Sequence, residues 1–95
     1  MYVYIVDEFS RDDANVEFNS RVVGAYTSEE EAVKCAKCIE DKHISHYGYR
    51  IEHEPGESIV YSATLDTDPE NEAKYADFIV LTVTKHKLDS KYKED

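Results

Sequence analysis

The sequence has only three glycines, at positions 24, 48 and 56. They are scattered, so no glycine-rich loop is present to cradle a phosphate with main-chain amides. Cysteine is as scarce. Cys35 and Cys38 stand three apart in a helical pattern, unlike the framework of a disulfide-stapled secreted domain. Reduced thiols in a cytoplasmic setting are the expectation. Long apolar runs are missing: the best, "YVYIV" and "FIVLTV", are strand-sized and far short of the ~20 residues that cross a bilayer. The first residues also lack the basic and apolar regions of an export signal. Bases are few, eleven Lys and Arg against 21 Asp and Glu, for a net charge of −10. No basic patch interleaved with aromatics is present, so neither direct nucleic-acid contact nor a membrane surface is expected. Such a field instead speeds encounter with basic protein surfaces.

What is present describes one folded domain. The 95 residues suffice for a single core, read as a domain over 1–90 with a frayed tail at 91–95. Hydrophobic residues make up 41% and there are eight tyrosines, a composition unlike that of disordered chains. "MYVYIVDEF" is rich in β-branched and aromatic residues and apolar on both faces, which predicts a central strand. "SRDDANVEFNS" reads as a polar hairpin loop and "RVVGAYT" as a second strand, with Gly24 marking a bulge or close packing.

"TSEEEA" is a helix start. Thr27 as N-cap with Glu30 at N3 matches the capping box, worth about 1 kcal/mol, and the following glutamates complement the helix dipole. The helix is expected to run to Asp41 or Lys42, with Gly48 as its stop. Ala32, Cys35, Ala36, Ile39 and His43 form the core-facing stripe, and Lys34, Lys37, Glu40 and Asp41 the opposite face. "YRIEHEPGESIVYSATLD" reads as a hairpin turning at Pro55-Gly56. "FIVLTVTKHKL" is the clearest strand. The fold class is therefore α+β: an antiparallel sheet of four to five strands with one main helix packed on one face, in the order β-β-α-β-β-β.

The segments "VYIV" (Val3 to Val6), "VVGAYTSEEEA" (Val22 to Ala32) and "HKLD" (His86 to Asp89) carry a resemblance. The chain resembles small uncharacterised proteins of phages and Firmicutes with a "VYVV" start, a hairpin, "GvYsSkEkA" entering a helix, and a last strand ending in "LD". It covers about half of the chain, and the acidic hairpin and the segment from Tyr49 to Asp77 depart from the shorter members. The resemblance implies a sheet-plus-helix fold and a mobile-element origin. Its motif is structural and brings no catalytic residues.

Two constellations bear on chemistry. Cys35, Cys38, His43 and His46 are zinc-ligand types in a C-x2-C-x4-H-x2-H pattern. At 100° per residue of helix, however, they spread around the axis unless the helix breaks near Asp41, where there is no Gly or Pro. The alternative reading is a zinc-stabilised domain; the primary reading assigns no metal, no cofactor and no catalytic residue. The acids are the stronger signal. Residues 1–31 hold eight acids and two bases, and residues 52–77 hold eight acids with Lys74 alone. A charge of −10 exceeds the magnitude of about 2 to 8 that keeps a small domain soluble. The expectation is a non-enzymatic, phage-encoded inhibitor or modulator of a host protein with a basic, nucleic-acid-binding surface. Its carboxylates stand in for phosphates, in the manner of a DNA mimic. The expected contact residues are Asp12, Asp13, Glu17, Glu52, Glu54, Glu57, Asp66 and Asp68, with Tyr49 and Tyr75 as aromatic anchors and Phe9, Phe18 and Tyr47 as further anchors nearby. A structural homodimer with acidity serving only solubility is the other alternative.

Overall fold

The computed structural model describes residues 1–12, 17–67 and 77–88, with Asp12 and Glu17 by their backbone alone. Five strands and one helix follow in the order β1 (Tyr2–Asp12), β2 (Glu17–Tyr26), α1 (Glu29–Tyr47), β3 (Tyr49–His53), β4 (Ile59–Asp66) and β5 (Phe78–Lys87). All neighbours pair antiparallel in one sheet of order β2-β1-β5-β4-β3. The expected α+β class, with one helix laid on one face of the sheet, is what the chain adopts.

β1 and β5 are the central strands. On their helix-facing side Val6 pairs with Val83, and Glu8 with Leu81. Tyr61, Ala63 and Leu65 of β4 continue the same face. With Ala32 and Ala36 from α1 these residues form the core, in which Leu65, Leu81, Val6 and Val83 are fully enclosed. Burying each such side chain stabilises the fold by roughly 1.5–3 kcal/mol. The two alanines let the helix backbone lie close to the sheet. Among the described residues no helix lies on the opposite face of the sheet.

Three boundaries differ from the sequence reading. First, "SRDDANVEFNS" is mostly strand. β1 continues to Asp12, and β2 starts at Glu17, pairing Asp12 with Glu17 and Arg11 with Phe18. Phe9 stacks on Phe18 across this pair at 5.7 Å. Second, the N-cap is Ser28, not Thr27. Its backbone is extended, and its side-chain oxygen accepts from the Glu31 amide at 3.3 Å. "TSEEE" fits the capping box in two registers, and serine is the better cap. Third, α1 runs past Asp41 to Tyr47, because nothing between these positions breaks it. Gly48 stops it, at φ 89° with its amide bonded to the Ile44 carbonyl at 2.7 Å, a left-handed cap that glycine adopts without strain.

Gly24 marks both features expected of it. The β1–β2 register shifts between Val6 and Asp7, and the Tyr26 ring lies so close that a Cβ on Gly24 would meet it at 2.9 Å.

Candidate functional site

The stripe that seats α1 is Ala32, Ala36 and Glu40, at i, i+4 and i+8, with Val33, Cys35, Ile39, Ile44 and Tyr47 packed beside it. Glu40 was expected on the solvent face; it is 3% exposed. His43 was expected in the stripe; it is exposed. The reason lies in the sheet. Arg50 on β3 and Tyr61 on β4 reach under the helix and supply donors to the Glu40 carboxylate. Arg50 Nε donates at 2.5 Å and the Tyr61 hydroxyl also donates to it. Arg50 further donates to Glu52 at 2.6 Å and to Tyr61 at 2.8 Å. A buried carboxylate persists when its lone pairs are filled in this way. Hydrogen bonds to Glu40 and Glu52 raise the Arg50 pKa far above its usual range. The bond from Arg50 holds Glu52 below the ordinary carboxylate range. Burial, followed by the bond to Glu40, pushes Tyr61 up to about 12. This cluster anchors the helix; its groups are occupied with one another.

The cysteines and histidines do not converge. Along a continuous helix Cys35 and His46 are ~16 Å apart at 1.5 Å per residue. Cys35 is half-buried and Cys38 exposed. Cys35, followed by burial and Glu31, raises the pKa of the neighbouring Tyr26 phenol. His43 and His46 both set their rings edge-on to Tyr47, at 6.4 and 5.0 Å. Among the described residues no group of three His, Cys, Asp or Glu gathers into a metal site. Nor does any described helix have the length and apolarity to cross a membrane.

The acidic residues divide between two ends of the sheet. Glu54 and Glu57 lie in the β3–β4 turn, at the end where α1 begins with Glu29, Glu30 and Glu31. Glu52, expected as a contact residue, faces the helix side and is tied to Arg50. The other end is different in kind. There β1 and β4 finish, β2 and β5 start, and α1 passes into β3. Thr67 closes the base of the β4–β5 connection, its amide and hydroxyl both donating to the Asp77 carbonyl at 3.3 and 3.2 Å. Counted in sequence, the two connections leaving this end, Asp12–Glu17 and Asp66–Asp77, hold eight of the 21 carboxylates and one base, Lys74. Seven of the ten excess negative charges belong to these stretches. Asp13, Asp68 and Tyr75, expected contacts within them, lie outside the described residues.

At the same end a row with three aromatic residues crosses the face opposite α1. The pairing Tyr49–Asp66–Phe78–Arg11–Phe18 spans all five strands. The next row runs Ile51–Thr64–Val80–Phe9–Ser20. Phe9 packs against Phe78 at 6.0 Å, and the Arg11 guanidinium sits over Phe18 at 5.8 Å. Phe18 is 61% and Tyr49 53% exposed, at the two edges of the row. Tyr49 and Asp66 were expected from the sequence. Phe9 and Phe18 were expected as aromatic anchors nearby; Phe78 and Ile51 were not chosen there. Their alternation with polar neighbours was the available signal, but it assigns a face only once the register is known. Around this end, Ser10, Arg11, Asn19, His46, Tyr47 and Asp77 line a shallow polar recess.

No family model, curated protein or solved structure matches the chain.

Proposed function

We propose that this chain is a non-enzymatic protein-binding module. It acts as a phage-derived inhibitor or modulator of a host protein whose basic surface otherwise holds nucleic acid, such as a defence nuclease. The observation that carries the reading is the convergence of both acid-rich connections on one end of the sheet. Counted in sequence, those connections carry eight carboxylates and one base, charge of the sign that a phosphate backbone offers to a basic surface. The field raises the encounter rate, and displacement of nucleic acid follows from occupying the same basic surface. Glu54 and Glu57, at the far end, stand outside the contact.

Affinity capture from host cytoplasm with the wild-type chain, with D12K/D13K and with E54K/E57K tests this, because both variants change net charge equally. A captured protein with a basic nucleic-acid site, lost with D12K/D13K and kept with E54K/E57K, is the expected result. Its affinity should fall steeply with added salt and in the presence of duplex DNA. Salt-independent capture, or equal loss with both variants, overturns the reading.

A further inference from the structure

We infer that the chain pairs with a second copy of itself along β2, the two strands running antiparallel about Ser20. In that register Phe18 lies opposite Val22 of the second copy, Asn19 opposite Arg21, and Ser20 opposite Ser20. The two five-stranded sheets join into one of ten strands. The inference does not rest on the proposed function, because it uses main-chain pairing and apolar contact rather than the acids.

β2 is an edge strand of ten residues. Among the described residues it pairs with β1 alone, so its outer N–H and C=O groups are open to another strand. Such groups select an extended chain as their occupant. The β1–β2 register shift falls after Val22, which leaves Phe18 to Val22 as a regular stretch. β3, the other edge, is half as long, and its Arg50 and Glu52 are bound to one another. Short, charged edges resist further pairing. In β2 the only charge from Phe18 to Tyr26 is Arg21, which pairs with Glu8 at 3.4 Å.

The order of side chains selects a second copy. Phe18, Ser20 and Val22 share the face opposite α1, where they pair with Arg11, Phe9 and Asp7. Phe18 is 61% and Val22 63% exposed, more than any other large hydrophobic residue in a described strand. Phe18-Asn19-Ser20-Arg21-Val22 runs apolar, polar, small, polar, apolar, so it complements itself when reversed. Pairing about Ser20 sets an aromatic against a β-branched side chain twice, a favourable cross-strand contact. Slipping the register by two residues, the smallest step that keeps the faces matched, sets Phe18 against Ser20 or Arg21 against Arg21.

Sedimentation equilibrium of the full chain tests the pairing. The wild type should show a monomer–dimer equilibrium that tightens with added salt, which screens the repulsion between two chains of net charge −10. Ser20→Lys should weaken dimerisation at least ~10-fold, because like charges then meet at the two-fold axis. Ser20→Glu should do the same. An equimolar mixture of these two variants should dimerise again, which follows only if Ser20 lies opposite itself. Ile51→Lys, the matching change on β3, should leave the dimer intact. Ser20 and Ile51 are both exposed, and circular dichroism checks that the fold is kept. A wild type that stays monomeric up to millimolar concentration overturns the inference, as does a dimer that survives Ser20→Lys. Loss of the dimer with Ile51→Lys overturns it too, and so does a variant mixture that stays monomeric.

Discussion

Arg50 on β3 donates from its Nε to the carboxylate of Glu40 on α1 at 2.5 Å, across ten residues of chain. The two ends of this pair are unequal: the Glu40 side chain is 4% exposed and that of Arg50 36%. Removing Arg50 leaves a buried carboxylate with Tyr61 as its remaining donor. Removing Glu40 leaves a guanidinium that water and Glu52 can serve. We therefore expect Arg50→Met to destabilise by ~3 kcal/mol and Glu40→Met by nearer ~1 kcal/mol, following the penalty for an uncompensated buried charge. Urea unfolding of the two variants at neutral pH measures the asymmetry, and equal losses would contradict it.

The alkaline limb of stability should report Tyr61. Its folded pKa stands near 12 against an ordinary value of 10. Between these values the unfolded chain has released the phenolic proton and the folded chain still holds it. The unfolded state therefore binds fewer protons, and stability falls as pH rises through the window. It is fully present below pH 10. Tyr61→Phe should flatten the fall between about pH 10 and 12 and remove a late-ionising phenol from the absorbance titration at alkaline pH.

The register of the helix cap is open to a simple substitution pair. Ser28→Ala should cost about 1 kcal/mol, because the Glu31 amide loses its acceptor. Thr27→Ala should lie within ~0.5 kcal/mol of wild type, as for surface positions without a special role. Thermal unfolding ranks the two; a larger loss at Thr27 would restore the cap to the earlier residue.

Thiol labelling separates the two cysteines. Cys38 is exposed, whereas Cys35 is half-buried beside Tyr26. A maleimide should modify Cys38 at least ~10-fold faster under native conditions and both at similar rates in denaturant, in keeping with access controlling reactivity. Mass spectrometry of digests over time checks the order.

The fold was largely readable because local signals agreed with one another. The strand pattern of "FIVLTVTKHKL", the turn at Pro55-Gly56 and the stop at Gly48 each had a short-range cause. What escaped depended on partners distant in sequence. Glu40 looks like a solvent residue until Arg50 and Tyr61 are placed beneath it, and only the spacing Ala32-Ala36-Glu40 hinted otherwise. Asp12 and Asp66 look like separate acidic stretches until the strand order brings their ends together. Phe78 and Ile51 look like ordinary strand residues until the register sets them on the same face as Phe9 and Phe18. Each miss was one of register and long-range pairing, which period-2 alternation alone cannot fix.

The pairing of β1 with β5 has a consequence for the order of events during synthesis. The hairpins β1–β2 and β3–β4 each close over short separations and can form as soon as they leave the ribosome. The centre of the sheet cannot: β5 must slot between β1 and β4, and its contacts with β1 join residues as far apart as Tyr2 and Lys87. Such non-local pairing is slow. Until it happens Val6 and Leu65 lie on half-built edges, open to pairing with other nascent chains. The last strand is thus the keystone in time as well as in space. A chain stopped before Phe78 should come off the ribosome as two unjoined hairpins and aggregate.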